Sequence, residues 1–170
     1  GKSAFSGVVI TKKDPREPLS ISASIDMKDI QAGQVLTSFE TLPDKVMTGE
    51  VDYTAQFESL GLSPAALIYG LKGKGQVEGS GITIYGLDLD GLSRKLSDAQ
   101  SVKGALSFLQ RSLAGGKTIF NELNSQYVIK EGIVNIQSLN LTGDDTSIRG
   151  QGKIDLPLWR IDLNTILEVK

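Results

Sequence analysis

Apolar and polar residues alternate one by one in several separate stretches of this chain, and this period limits the fold more than any other feature. In the stretch 19–27 the apolar residues occupy every second position: Leu19, Ile21, Ala23, Ile25 and Met27. In the stretch 51–57 the same holds for Val51, Tyr53, Ala55 and Phe57. A period of two is typical of a β-strand with one face buried. The sequence therefore predicts a protein dominated by strands.

Four further stretches near the C-terminus predict strands separated by short turns. In chain order they are Gln126–Lys130, Ile133–Leu141, Ser147–Leu156 and Arg160–Val169. The intervening sequences Glu-Gly at 131–132 and Gly-Asp-Asp at 143–145 favour tight turns. Strands that follow one another through tight turns pair antiparallel, so this part of the chain predicts a meander.

Helical spacing interrupts the strands in four places. Ser63 and Pro64 predict a helix start, with a capping hydroxyl followed by proline at the first helical position, and this helix extends to Leu71. Apolar residues three or four apart predict the other helices, at Ile30–Phe39, Leu87–Leu96 and Val102–Leu113. We therefore expect an α+β, strand-dominated fold: a curved, groove-like antiparallel meander with a few short helices packed on one face or end. A further strand is predicted over Ser3–Thr11.

Three motifs, one rich in glycine and two with paired aspartates, have both a structural and a chemical interpretation. Gly73–Gly81 is glycine-rich but matches neither the dinucleotide fingerprint nor a Walker loop, so a bulged strand running on to Tyr85 is favoured over a phosphate loop. The carboxylates of the pairs Asp88/Asp90 and Asp144/Asp145 could bind a divalent cation. A helix start that Asp88 caps or charges, and a solvated turn at 144–145, are the favoured explanations, so we predict no metal site.

The composition excludes several classes of function. The 170 residues contain neither cysteine nor histidine, which removes thiol nucleophiles, thiolate metal sites and the commonest general base. The net charge of -2 provides no positive field to attract nucleic acid. We therefore expect a protein that is not an enzyme, has no cofactor and does not bind nucleic acid.

The order of motifs from Met47 to Lys170 resembles the C-terminal region of the AsmA family. The first part of the resemblance lies in a strand opened by Gly49, a helix beginning Ser-Pro-Ala-Ala-Leu at 63–67, and the Leu-Lys-Gly step at 71–73. The sequence Tyr-Gly-Leu-Asp-Leu at 85–89 then leads to paired helices. Each motif alone is weak, and the resemblance rests on their order.

The second part of the resemblance follows the helices. A cluster of Thr118, Phe120 and Leu123 precedes the strand that ends at Gly132. The closing signature is a strand with alternating glycines at 150 and 152, an Asp-Leu-Pro turn at 155–157, and a final strand carrying Asp162. The match covers residues 46–170, whereas residues 1–45 match less closely and lead into what we expect to be one continuous domain.

The resemblance implies a non-catalytic protein of the bacterial cell envelope. AsmA-like proteins are anchored in the inner membrane, project into the periplasm, contribute to outer-membrane biogenesis, and in some cases carry phospholipid. We therefore expect the chain to be part of a longer protein on the periplasmic side, with the membrane anchor outside this sequence. The expected partners are phospholipid or another acyl-chain lipid, envelope proteins, and neighbouring domains of the same chain.

The alternating apolar faces supply candidates for a lipid groove, because each buried methylene contributes about 0.8 kcal/mol. The candidates are Val51, Tyr53, Phe57, Ile148, Ile154, Leu156, Ile161, Leu163 and Leu167. Two alternatives stay open. The same faces could pack against helices to form an ordinary core, and the domain could be a scaffolding module whose sheet edges join other envelope proteins without carrying lipid.

Overall fold

The computed structural model describes residues 3–10, 16–33, 46–89, 91 and 115–169 of the chain. Within these residues eight strands form one antiparallel sheet in which each strand pairs with its neighbours in sequence. The strands are β1 (Ser3–Ile10), β2 (Leu19–Gln31), β3 (Met47–Gly61), β4 (Lys72–Tyr85), β5 (Lys117–Lys130), β6 (Ile133–Thr142), β7 (Thr146–Asp155) and β8 (Arg160–Val169). One helix, α1 (Pro64–Tyr69), connects β3 to β4. The predicted strand-dominated meander is confirmed, and the sheet stays open between β1 and β8.

Most predicted boundaries agree with the structure, and two predictions were wrong. β8 has the predicted bounds, and the turns at 131–132 and 143–145 are present. β5 begins at Lys117 rather than at Gln126, and Ile30 belongs to strand β2 instead of opening a helix. Ala32 and Gly33 are helical, as predicted, and residues 34–39 of that helix lie outside the described residues. So do most of the helix predicted over Leu87–Leu96 and all of the one predicted over Val102–Leu113.

Helix α1 forms because its first residues satisfy free backbone groups. The Ser63 hydroxyl accepts a hydrogen bond from the Ala66 amide at 3.2 Å, and Pro64 occupies the first turn. The Ser59 hydroxyl on β3 donates to the Leu67 carbonyl at 2.5 Å, which ties the helix to the sheet. A Cβ at Gly61 would lie 2.6 Å from the Leu67 amide nitrogen, so only glycine permits this close approach.

β-Bulges keep the apolar residues in phase along strands whose alternation is broken. The register between β2 and β3 shifts between Met27 and Ile30, where Asp29 has a φ of 52°. In β6 the register with both neighbours shifts between Ile136 and Leu139. Each extra residue returns the next apolar side chain to the face that the strand already presents. The sheet consequently keeps one apolar face in spite of irregular spacing in the sequence.

The sheet has an apolar face and a polar face, each defined by the register of strands β2–β8. The apolar face carries Leu19, Ile21, Ile25, Met27, Ile30, Val51, Tyr53, Phe57, Val77, Ile82, Phe120, Leu123, Tyr127, Ile129, Val134, Ile136, Leu139, Leu141, Ile148, Ile154, Ile161, Leu163 and Leu167. The polar face carries, among others, Ser24, Asp26, Thr54, Gln56, Lys74, Gln76, Gln126, Arg149 and Lys153.

The best-buried side chains gather at one end of the apolar face. Ile82 and Phe120 are fully buried there, and Leu89 and Leu141 are nearly so. The Thr118 hydroxyl donates to the Leu87 carbonyl at 2.6 Å and accepts from the Leu89 amide at 2.9 Å. These two bonds hold the chain that leaves β4 over the end of the sheet. The rest of the apolar face is mainly half-buried.

Candidate functional site

Eight of the nine residues predicted for a lipid groove lie on the apolar face of the sheet. Val51, Tyr53 and Phe57 are on β3, Ile148 and Ile154 on β7, and Ile161, Leu163 and Leu167 on β8. The ninth, Leu156, follows the last residue of β7 and lies in the turn to β8, where its amide donates to the Gly132 carbonyl at 3.1 Å. Leu156 is therefore part of the turn rather than of the strand face.

The sheet brings the β7 and β8 residues together but keeps the β3 residues apart from them. Ile148 pairs directly with Leu167, and Ile154 pairs directly with Ile161. Between β3 and β7 lie β4, β5 and β6, so four inter-strand spacings of roughly 4.8 Å separate the two groups by about 19 Å measured along the sheet. Val51 and Ile148 nevertheless pack against the same cluster of buried residues at one end of the apolar face. The predicted residues thus lie on two parts of a broad surface that is joined at this end by the buried cluster.

The centre of that surface is formed by residues that the groove prediction omitted. In one row across the sheet, Tyr127 on β5 pairs with Ile136 on β6, and in the next row Ile129 pairs with Val134. The β-bulge of β6 places Leu139 on the same face as Ile136, although the two are three residues apart. The strand was predicted over Ile133–Leu141, but its broken alternation concealed which of its residues share one face. On β2 the alternation was visible, but it carried no sign that this strand belongs to the same face.

The glycines of β4 contribute no side chains to the middle of the apolar face, and aromatic side chains from the neighbouring strands cover them. An ideal Cβ on Gly73 would lie 3.0 Å from the Phe57 ring, and one on Gly75 would collide with the Tyr127 hydroxyl. Side chains that lean over a glycine restore the contacts which the missing Cβ leaves open. The glycine alternation in the sequence therefore serves packing on this sheet and forms no phosphate loop.

Tyr53 and Tyr127 place a polar pair within the apolar face. They reach across β4 from either side, and their hydroxyl oxygens lie 2.5 Å apart. Burial raises the pKa of Tyr127, and the hydrogen bond with Tyr53 raises it further. Both rings are half-buried, so the pair adds a neutral hydrogen-bonding point to an otherwise apolar surface.

Exposure of the apolar face is greatest at strand β8. Ile161, Leu163 and Leu167 are 68%, 48% and 40% exposed, whereas their partners on β7, Ile154 and Ile148, are half-buried. Large side chains with this exposure on neighbouring positions of one face form an apolar patch at the edge of the sheet.

The polar face carries ion pairs and a shallow depression. Lys28 pairs with Asp52 at 3.0 Å, and Lys72 pairs with Glu58 at 2.8 Å. The Asp29 amide also donates to Asp52, and this bond, together with Lys28, holds the pKa of the Asp52 carboxyl below its usual value. A depression of about 480 Å³ lies across β2–β6 and is lined mainly by polar side chains, among them Gln56, Gln76, Gln126 and Gln137.

Within the part of the chain that the structure describes, no group of three or more acidic residues is arranged to hold a metal ion. No helix among the same residues is long and apolar enough to cross a bilayer. Comparison of the chain with protein-family models, with curated proteins and with solved structures gave no match.

Proposed function

We propose that this domain handles lipid, binding acyl chains along the apolar face of its sheet. The observation that carries the proposal is the one-sided face itself. Seven strands, β2–β8, place apolar side chains on the same side, and those on β8 remain 40–68% exposed. Covering such side chains with a hydrocarbon chain contributes about 25 cal/mol for each Å² of apolar surface removed from water. The polar opposite face keeps the domain compatible with water.

The proposed setting is a larger AsmA-like protein on the periplasmic side of the bacterial inner membrane. This part of the proposal rests on the order of motifs between Met47 and Lys170. In that setting the domain contributes to outer-membrane biogenesis by carrying phospholipid or another acyl-chain lipid. Its role is to hold the lipid, and we assign no catalytic residue or cofactor to it.

A scaffolding role is the second candidate, favoured by the exposed edge of the sheet. Trp159, in the turn before β8, is 84% exposed, and Ile166 on the polar side of β8 is 64% exposed. Apolar side chains on both sides of an edge strand favour contact with another protein chain. In this role the domain joins envelope proteins or neighbouring domains and carries no lipid.

Native mass spectrometry and lipid extraction distinguish the two candidates. The domain is expressed in a bacterium, purified without detergent, and compared with two variants that each add one negative charge to the β7–β8 pair. Leu163→Asp places the carboxylate on the apolar face, and Gln151→Glu places it on the polar face. We expect lipid at a defined ratio in the wild type and in Gln151→Glu, and its loss from Leu163→Asp.

Far-UV circular dichroism of both variants verifies that the sheet is intact. Lipid-free wild-type protein that also fails to take up a fluorescent fatty acid would contradict lipid handling and leave scaffolding as the better explanation. Equal retention of lipid by the two variants would also count against the apolar face as the binding surface.

A further inference from the structure

Strand β8 presents an unprotected edge. Among the strands that the structure describes it pairs only with β7, and across their whole ladder the register has no shift. Its ten residues, Arg160–Val169, include neither proline nor lysine. Natural sheets usually protect an edge with a bulge, a proline, charged side chains or a short strand. β8 is long, regular and without proline, and its charges, on Arg160, Asp162 and Glu168, leave it suited to pairing with a strand of complementary charge.

The sequence of β8 is complementary to itself when two copies run antiparallel. If the ladder is centred on Asn164, Arg160 of one copy lies opposite the partner's Glu168, and the same pair repeats at the other end. Opposite charges in directly opposed positions stabilise an antiparallel pair. Asn164 lies opposite the partner's Asn164, where two side-chain amides can bond to each other.

Neighbouring registers lose this complementarity. A ladder centred on Thr165 sets Asp162 against the partner's Glu168, which is repulsive. A ladder centred on Leu163 leaves Arg160 opposite the partner's Ile166 and pairs no charges. Arg160 makes no ion pair with the described residues. The Glu168 carboxylate lies 3.5 Å from Arg149 and accepts a hydrogen bond from Ser147 at 3.4 Å, but its side chain is 52% exposed and both contacts are made through one oxygen, Oε2. Its other oxygen can receive Arg160 of a second chain.

The same register makes the apolar faces continuous. A two-fold axis perpendicular to the sheet keeps both apolar faces on the same side. Ile161 then lies opposite the partner's Leu167, and Leu163 lies opposite the partner's Thr165. The exposed patch at β8 becomes the middle of a wider surface, and its side chains gain neighbours that one copy does not provide.

We infer that the domain forms a symmetric dimer through antiparallel pairing of β8 with β8 of a second copy, in the register centred on Asn164. The pairing rests on the edge and on its charges, and it does not depend on lipid binding. A second copy is favoured over an unrelated strand because Arg160 and Glu168 of β8 meet each other at both ends of the ladder.

Charge reversal tests both the contact and its register. Arg160→Glu faces the partner's Glu168 with like charge at both ends of the interface, and Glu168→Arg does the same with positive charge. We expect either variant to dimerise at least about tenfold more weakly than wild type in sedimentation velocity over a concentration series. An equimolar mixture of the two variants restores both attractive pairs, so we expect it to recover the dimer.

A cysteine pair provides a second measurement. The chain has no cysteine, so Asn164→Cys introduces a single thiol that lies opposite its own copy on the two-fold axis. Directly opposed residues have Cα atoms about 4.5–5.5 Å apart, which is within disulfide range. Asp162→Cys is the matched control, because in this register the two introduced thiols are displaced by about 13 Å along the strands.

We expect mild oxidation to cross-link Asn164→Cys and to leave Asp162→Cys monomeric in a denaturing gel. Wild-type protein that stays monomeric throughout the concentration series would overturn the inference. So would a dimer that the two charge reversals leave unchanged, or one in which the Asp162→Cys variant cross-links as fast as Asn164→Cys.

Discussion

The hydroxyl of Thr118 should stabilise the fold out of proportion to its size. The residue is fully buried on β5, and its single hydroxyl bonds both the Leu87 carbonyl and the Leu89 amide. Replacing Thr118 by valine keeps the shape but leaves two backbone groups without their partner. Each buried backbone group that loses its hydrogen bond costs about 1–3 kcal/mol. Leu87 is only half-buried, so water can partly replace the bond to its carbonyl. We therefore expect Thr118→Val to lower the free energy of unfolding by about 2–4 kcal/mol, less than twice the full cost.

Thr118→Ser is the matched control, since it keeps the hydroxyl and removes one methyl group. That change costs about 1 kcal/mol, the value of a buried methyl plus a small cavity term. Urea unfolding followed by far-UV circular dichroism measures both variants. Fluorescence is a poor choice because the single tryptophan, Trp159, is 84% exposed in the folded protein.

With a urea dependence of about 1–3 kcal/mol per M, the valine variant should unfold at a urea concentration lower by about 1 M or more. The serine variant should shift by about half as much or less. Equal stability of the two variants would show that these hydrogen bonds do not hold the segment after β4 over the sheet.

Three further predictions follow from single positions. Glu131→Asn should raise the free energy of unfolding by about 0.5–1 kcal/mol, because Glu131 and Gly132 both have positive φ (54° and 72°) and the sequence Asn-Gly favours such a turn. Thermal unfolding measures the effect, with Glu131→Ala as the comparison. The free energy of unfolding should fall as the pH rises above 10.0, because the raised pKa of Tyr127 lets the folded protein keep a proton that the unfolded chain loses. Tyr127→Phe should reduce this fall. An unchanged pH profile in that variant would show that Tyr127 is not its cause. Gly75→Ala should lower the free energy of unfolding by about 1–3 kcal/mol, because the added Cβ would collide with the Tyr127 hydroxyl. An unchanged midpoint of urea unfolding would show that the Tyr53–Tyr127 pair can move aside without strain.

Most of the strand order could be predicted from the sequence because alternation and turn residues are local signals. β8 and the turn at 131–132 illustrate this, since each depends only on its own few residues. β5 was placed too late because Asn121 and Glu122 are both exposed and interrupt its alternation. At the same level of the sheet Gly81 in β4 has a φ of 58°, so both strands change phase together. Such a change depends on the neighbouring strand and is invisible in one strand alone.

The candidate surface was predictable in its chemistry but not in its extent. Val51 and Ile148 were identified from their own alternation, and both lie on the apolar face. That three strands lie between them is a property of the whole sheet, and so is their packing against one buried cluster. Ile136 and Leu139 were omitted because a bulge separates them by three residues.

Because each strand pairs with its neighbours in sequence, strands can be added to this sheet without rearranging the others. Each ladder between the described strands joins two strands that are neighbours in sequence, so inserting one more hairpin at a turn would leave the ladders on either side intact. Each added hairpin would widen the sheet by roughly 10 Å. Duplication of a short gene segment is therefore enough to produce broader relatives, much as repeat proteins grow by whole units.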